Sequence, residues 1–135
     1  MDETKTHIIL VDDNVQFRAN LKNYIEKELN CLVITEASDG VEFLKLQNKN
    51  EADIILMDIA MQEMDGFEAT KRALWQNFHL KIIAITMHTE KMFLAQLLET
   101  GFKGCVFKSD VFKQLPIALK TVLEGKLFFP EGISI

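Results

Sequence analysis

The first apolar run of the chain is Ile8-Ile9-Leu10-Val11, and it ends abruptly in two carboxylates, Asp12-Asp13. The run is continuously apolar and does not alternate with polar residues, which is typical of a strand buried on both faces of a parallel sheet. Short apolar runs recur four more times, at residues 32–34, 54–57, 82–85 and 105–107. We therefore predict a parallel sheet of five strands.

Segments with helical spacing of apolar residues separate these runs. Their apolar stripes are Phe17, Leu21, Tyr24, Ile25 and Leu29; Val41, Phe43 and Leu44; Phe67, Thr70, Ala73 and Leu74; Leu94, Leu97 and Leu98; and Leu115, Leu119, Val122 and Leu123. Strands that alternate with helices form an open α/β sheet with right-handed crossovers. Ligands of such sheets bind outside the carboxyl ends of the strands.

Capping residues predict where several helices begin and end. Asp39-Gly40 is a typical helix start, and Gly101 and Gly125 follow the fourth and fifth helices as terminating glycines. Pro116 lacks an N–H and fits a helix best in its first turn. We therefore expect the last helix to begin near Phe112 or later.

Composition limits the class of protein. The chain has 135 residues, of which 48% are hydrophobic, and its 15 basic and 20 acidic residues give a net charge of −5. This length and composition predict one soluble globular domain, and the acidic balance argues against a nucleic-acid-binding module. Two cysteines are too few for a disulfide framework, and no signal peptide or membrane-spanning run is present in the sequence. We expect a cytoplasmic location.

Polar residues that suit metal or phosphate chemistry follow four of the five strands. Asp12-Asp13 follows the first strand, Asp58 the third, Thr86 the fourth and Lys108 the fifth. Each alone is more commonly a helix cap or a turn residue. Together they place three carboxylates at one edge, where they repel one another unless a cation neutralises them. Oxygen ligands favour Mg²⁺, and the lysine and threonine complete a cradle for a phosphoryl group.

These residues resemble those of a known family. The pattern Asp12-Asp13, Asp58, Met61…Asp65-Gly66, Thr86 and Gly101-x-x-Gly104-x-x-x-Lys108 is similar to the receiver domain of bacterial two-component response regulators. The resemblance covers essentially the whole chain. It implies a flavodoxin-like (βα)5 fold, a three-layer sandwich with a parallel sheet in strand order 2-1-3-4-5.

The resemblance also implies a role for each site residue. Asp58 would be the phospho-acceptor, and Thr86 and Lys108 would contact the phosphoryl oxygens. The implied ligands of Mg²⁺ are Asp13, Asp58, the backbone carbonyl of Ala60 and, through water, Asp12. Such a domain phosphorylates itself from a donor and slowly hydrolyses its own phosphate, so it is not a turnover enzyme.

Two segments look most like the receivers of LuxR-type transcription regulators, namely Ile85-Thr86-Met87-His88 and the stretch at residues 123–130. We assign residues 1–125 to the receiver domain and 126–135 to a C-terminal tail or the start of a linker to an output domain that this chain does not contain. The implied partner is a sensor histidine kinase. We expect control of transcription through the face made by helix 4, strand 5 and helix 5, or else a stand-alone receiver acting through protein–protein contacts.

Further expectations concern assembly and the switch. A homodimer would use helix 4, strand 5 and helix 5, or helices 1 and 5, with no direct nucleic-acid contact and no membrane contact by this segment. Cys105 stands where receivers often carry an aromatic residue that moves with the threonine, so the switch is expected to use loop movement or a different side chain.

Three other functions fit the sequence less well. A nucleotide or flavin carrier would need glycines after the first strand, where the chain has Asp12-Asp13-Asn14. A Mg²⁺-dependent aspartyl phosphatase would need an Asp-x-Asp spacing and a substrate cap. A scaffold without phosphorylation would not need the five site residues.

Overall fold

The computed structural model describes residues 5–130, and their elements alternate along the chain. In order these are β1 (Thr6–Val11), α1 (Val15–Glu28), β2 (Cys31–Ala37), α2 (Gly40–Lys45), β3 (Ile54–Asp58), α3 (Gly66–Gln76), β4 (Ile82–Thr86), α4 (Lys91–Thr100), β5 (Gly104–Phe107) and α5 (Val111–Leu123). Short 3₁₀ turns at Lys49–Glu51 and Lys108–Asp110 precede β3 and α5. The predicted alternation is confirmed.

The strands form one parallel sheet in the order β2-β1-β3-β4-β5. One face of the sheet packs against α2, α3 and α4, and the other packs against α1 and α5. The flavodoxin-like three-layer fold and its strand order are thus confirmed. All residues of β3 and β4 are buried, because each of these strands has a strand on both sides and helices on both faces.

Side-chain caps and one glycine define the helix ends. The side chains of Asn14, Asp39 and Asp65 each accept a hydrogen bond from a backbone N–H in the first turn of the helix that follows. Gly101 ends α4 at φ 114°, as its place in the sequence predicted. The three side-chain caps therefore mark where loops at the carboxyl edge of the sheet end and the following helices begin.

The predicted apolar stripe of α2 is partly wrong. Phe43 is completely buried, whereas Val41 is 36% exposed. The helix has only six residues, Gly40–Lys45, and it packs against the sheet through Phe43, with the partly buried Leu44 beside it.

The helix α5 begins at Val111, within one residue of the predicted start, but Pro116 falls in its second turn and not in the first turn that proline prefers. Pro116 has no N–H to donate to the carbonyl of Phe112 four residues earlier. The Tyr24 hydroxyl, from α1, donates to that carbonyl at 2.8 Å, and its ring meets the Phe112 ring edge-on at 4.8 Å between centroids. The tertiary contact thus replaces the helical hydrogen bond that proline removes.

The chain after α5 returns to the edge of the sheet. Phe128 donates its N–H to the carbonyl of Lys103 at 3.0 Å and accepts from the N–H of Cys105 at 2.8 Å, which forms a parallel bridge at Gly104. Phe128 of the tail therefore lies beside the start of β5, and residues 131–135 lie outside the described residues. The division of the chain at residue 125 stays a prediction. No helix in the described part of the chain is long and apolar enough to span a membrane.

We expect Tyr24→Phe to lower the free energy of unfolding by about 0.5–1.5 kcal/mol, because the ring contact remains and only the hydrogen bond to Phe112 is lost. In a Pro116→Ala background the same change should cost less, since the N–H of the new alanine satisfies that carbonyl. Urea denaturation of the four proteins measures both costs. An equal cost of Tyr24→Phe in the two backgrounds would contradict this explanation.

Candidate functional site

The carboxyl edge of the sheet brings together the polar residues that the sequence singled out. Asp12 follows β1, Asp58 ends β3, Thr86 ends β4 and Lys108 follows β5. Asp12, Asp58 and Thr86 are only 5%, 4% and 1% exposed, whereas Asp13 is exposed. Because parallel strands end at the same edge, positions that are 46 to 96 residues from Asp12 in sequence meet there.

The three carboxylates form a compact cluster with one cation beside it. One oxygen from each of Asp12, Asp13 and Asp58 lies within 4.8 Å of the others. The Lys108 ammonium nitrogen lies 3.1 Å from Oδ2 of Asp12 and 3.6 Å from Oδ1 of Asp58. With the carboxylates ionised, the cluster retains a negative excess that attracts a further cation.

Asp58 is the member of the cluster whose ionisation is most affected. Burial is the largest effect and, together with the charges of Asp12 and Asp13, it raises the pKa of Asp58 to about 7, against the opposing effects of Lys108 and of the Ile59 backbone N–H. A carboxylate that resists ionisation in this way gains from a bound cation. Perturbed carboxylates of this kind concentrate at functional sites.

Gly66 determines the course of the loop that follows Asp58. Its N–H donates to the carbonyl of Ile59 at 2.9 Å, and a Cβ at this position would lie 2.4 Å from the backbone oxygen of Asp58. Asp65 caps α3 directly before it. The Asp65-Gly66 pair therefore folds the loop tightly against the end of β3. Ala60 is exposed in this loop, and the role of its carbonyl stays a prediction.

Two contacts that the sequence did not indicate surround the cluster. The Lys108 ammonium lies 4.4 Å above the ring of Phe17, and a guanidinium nitrogen of Arg18 donates to the backbone carbonyl of Asp12. Arg18 also pairs with Glu36 at 2.9 Å. Phe17 was identified only as part of an apolar stripe, and no local pattern links Arg18 to Glu36, which is 18 residues away in sequence.

Thr86 lies at this edge with its hydroxyl bonded within its own loop. The hydroxyl accepts from the backbone N–H of His88 at 3.0 Å. The His88 ring stacks on Phe93 of α4, with 4.6 Å between centroids, and its Nδ1 lies 3.2 Å from a carboxylate oxygen of Glu90. The loop after β4 is thus connected to the first turn of α4.

Cys105 is completely buried in β5, and burial raises the pKa of its thiol to about 12. The thiol is therefore protonated near neutral pH, which makes it a poor nucleophile and a poor redox sensor. Its environment is that of a small core residue.

The donor set fits a hard divalent cation. All three clustered ligands are carboxylates whose oxygens lie within 4.8 Å of one another, with the single positive charge of Lys108 beside them. Oxygen-only sites with few carboxylates are typical of Mg²⁺, which completes its shell with water or phosphate oxygens.

Comparison with known proteins identifies the family. The sequence profile described as "Response regulator receiver domain" matches residues 8–120. The chain belongs to this family. It is 30% identical to the transcriptional regulatory protein DegU of Brevibacillus brevis over 99% of this chain and 57% of that protein. The receiver therefore spans less than two thirds of the length of this relative.

Solved structures place the receiver among those of LuxR-type regulators. A LuxR-family two-component response regulator from Aurantimonas sp. SI85-9A1 has a TM-score of 0.87 and 29% identity, over 96% of this chain and 92% of that one. The isolated receiver domain of RcsB from Salmonella enterica serovar Typhimurium, solved with the phosphomimetic BeF₃⁻, has a TM-score of 0.82 and 25% identity over 94% of both chains. The predicted resemblance to LuxR-type receivers is confirmed.

The raised pKa of Asp58 predicts how stability depends on pH without metal. Between its unfolded value near pH 4 and its folded value of about 7, the folded state binds more protons, so the free energy of unfolding falls as pH rises. Asp58→Asn is neutral throughout. We expect its advantage in free energy of unfolding over the wild type to grow by about 2–3 kcal/mol from pH 5 to pH 8.

Urea denaturation in EDTA at the two pH values measures this difference. Glu99→Gln, at an exposed position of α4, serves as the control and should show no such growth. A constant or shrinking advantage of Asp58→Asn would show that burial in the cluster does not destabilise the ionised carboxylate.

Proposed function

We propose that this receiver accepts a phosphoryl group from a sensor histidine kinase on Asp58 and thereby controls an output, namely transcription. The observation that supports this best is the position of Asp58, which is 4% exposed, clustered with two carboxylates and 3.6 Å from the Lys108 ammonium. A single nucleophilic oxygen is thus surrounded by groups that can hold a cation and an anion. That combination suits phosphoryl transfer better than metal storage or structural capping.

The cluster would hold Mg²⁺ through Asp13, Asp58 and the Ala60 carbonyl, with Asp12 contributing through water. When bound, the ion supplies positive charge that offsets the carboxylates and the phosphoryl oxygens. Asp58 would then be ionised at neutral pH, because an adjacent cation opposes the burial that raises its pKa. Its oxygen becomes available as a nucleophile.

In the transfer step, an oxygen of Asp58 bonds to the phosphorus of a phosphohistidine while the phosphorus–nitrogen bond breaks. The imidazole leaves and takes up a proton. Lys108 moves little, because its ammonium already lies 3.6 Å from Asp58, and it pairs with a phosphoryl oxygen. Positioning and charge neutralisation supply the catalysis, as expected for phosphoryl transfer. Water later attacks the phosphorus, which releases inorganic phosphate and regenerates the carboxylate.

The new phosphoryl group adds up to two negative charges and strong acceptor oxygens beside β4. The Thr86 hydroxyl would turn to donate to one of them and would give up the hydrogen bond that it accepts from His88. Because His88 stacks on Phe93, this change would reach α4 directly. The loop and α4 would therefore carry the movement of Thr86 to the surface, a role that many receivers give to an aromatic residue at the position of Cys105.

The surface supports partner contacts on two faces. Large apolar side chains are exposed beside α4, at Met87 and Met92, and on α1 and α5, at Val15, Phe112 and Ile117. A homodimer through α4, β5 and α5, or through α1 and α5, would bury them. The name of DegU describes a transcriptional regulatory protein, and this chain matches 57% of its length. We therefore assign any DNA contact to a separate domain.

Acetyl phosphate with Mg²⁺ should label the wild type with one phosphoryl group, and Asp58→Asn should reduce the label to background because no nucleophilic oxygen remains in the cluster. Intact-protein mass spectrometry measures the label. Asp110→Asn, which removes an aspartate outside the cluster, should be labelled like the wild type. Undiminished labelling of Asp58→Asn would refute the assignment of the acceptor.

Ala60 and His88 lie two residues beyond Asp58 and Thr86, where they flank the approach of water to the phosphoryl group. Ala60→Lys and His88→Ala should each change the rate of dephosphorylation by about threefold or more, which corresponds to a barrier change of only about 0.7 kcal/mol. Loss of the label with time after removal of the donor gives the rates. Wild-type rates in both variants would show that these positions do not control access of water.

A further inference from the structure

Every polar atom of Asp12 already has a partner, which distinguishes it from the other two carboxylates. Its N–H donates to the carbonyl of Ala37 at 3.1 Å, and Oδ1 accepts from the N–H of Asn14 at 2.8 Å. Oδ2 lies 3.1 Å from the Lys108 ammonium. Its backbone carbonyl accepts from a guanidinium nitrogen of Arg18. The contact with Ala37 belongs to the sheet edge, the contact with Asn14 to the loop, and the contact with Lys108 to the carboxylate cluster. Arg18 differs from these partners because its long side chain reaches the backbone of Asp12.

The side chain of Arg18 is itself held in place by Glu36 of β2. Its Nε donates to Oε1 of Glu36 at 2.9 Å, and the Arg18 side chain is only 16% exposed. The second oxygen of Glu36 lies 3.3 Å from the ammonium of Lys22. A planar guanidinium can bind a carbonyl and a carboxylate at once in fixed directions, whereas a lysine is a single point charge. Arg18 therefore bridges β2 and the loop after β1.

The charge of Arg18 is unfavourable for a neighbouring cation, and Glu36 compensates it. A cationic side chain bonded to Asp12, with no anion beside it, would repel a metal ion at the carboxylate cluster. Because Glu36 offsets the guanidinium charge at 2.9 Å, although it also pairs with Lys22, Arg18 can hold the backbone of Asp12 at a reduced electrostatic cost to the site. The ion pair with Glu36 therefore lets Arg18 position the Asp12 backbone while repelling a bound metal ion less.

We propose that Arg18, neutralised by Glu36, is a positioning residue for the Mg²⁺ site, and that it acts by holding the Asp12 backbone so that the Asp12 and Asp13 carboxylates face Asp58. The inference rests on the proposed function, since it assigns Arg18 to the metal site of that reaction. Removal of a residue that holds a metal ligand in position commonly weakens the affinity for the metal by about 10- to 100-fold. Arg18 touches neither the reacting atoms nor the ligand oxygens.

Positioning and simple charge predict opposite results for Arg18→Met. Removal of a positive charge near the cluster should strengthen Mg²⁺ binding if charge alone matters. Removal of the group that holds Asp12 should weaken it, and we expect a loss of about tenfold. A purely structural role would lower the free energy of unfolding and leave the affinity for Mg²⁺ unchanged.

Isothermal titration calorimetry with MgCl₂ measures this affinity in the full chain without any phosphoryl donor. Glu36→Gln should also weaken binding, because it leaves the guanidinium uncompensated, and this loss should diminish at high salt. Arg18→Lys should restore only part of the affinity. The control is Arg72→Met, which breaks an exposed pair with Glu68 at 2.7 Å on α3 and should bind Mg²⁺ like the wild type.

Each outcome decides the question. Tighter or unchanged Mg²⁺ binding by folded Arg18→Met overturns the inference and leaves the proposed function intact, because the wild type still binds the ion. No Mg²⁺ binding by the wild type overturns both. If Arg18→Met does not fold, as judged by circular dichroism, Arg18→Lys and Glu36→Gln provide the test, and wild-type affinity in both overturns the inference.

Discussion

Mutual repulsion among Asp12, Asp13 and Asp58, whose oxygens lie within 4.8 Å of one another, is the constraint on which the rest of the site depends. Burial at the edge of a parallel sheet strengthens this repulsion, because little water reaches Asp12 and Asp58 to screen it. Lys108 offsets part of the charge at 3.1 and 3.6 Å. Burial, together with the remaining negative excess, raises the pKa of Asp58 to about 7, and the excess makes a bound cation favourable.

The fold produces this cluster by bringing strand ends together, and that much was predictable. The strands β1, β3 and β4 lie inside the sheet, so they are buried on both faces and are continuously apolar in sequence. A polar residue directly after such a run must lie at the carboxyl edge. The positions of Asp12, Asp58, Thr86 and Lys108 follow from this rule and from the alternation of strands and helices.

Contacts between distant side chains were not predictable, because they depend on how helices are oriented against the sheet. Arg18 meets Glu36 only because α1 crosses the end of β2, and nothing in either local sequence encodes that crossing. The place of Pro116 in α5 was not predictable for a similar reason. Tyr24 satisfies the carbonyl that Pro116 leaves without a donor, so the helix tolerates proline in its second turn. Both contacts are tertiary, and neither is encoded in the local sequence.

The same edge explains how a local charge change can reach the surface. The hydroxyl of Thr86 is bonded to His88, whose ring stacks on Phe93, and Phe93 meets Phe67 of α3 edge-on at 5.2 Å. This series of contacts leads from the end of β4 to α3 and α4 and does not involve Cys105. The chain after α5 also contacts the sheet near α4, because Phe128 pairs with the start of β5.

Chemical trapping of the phosphorylated residue tests most directly whether Asp58 is the nucleophile of a Mg²⁺-dependent phosphoryl transfer. Borohydride reduces an aspartyl phosphate to homoserine, so peptide mapping of the phosphorylated and reduced chain by mass spectrometry identifies the acceptor. We expect homoserine at position 58 when Mg²⁺ is present and none when EDTA replaces it. Homoserine at another aspartate, or at position 58 to the same extent in EDTA, would contradict this expectation.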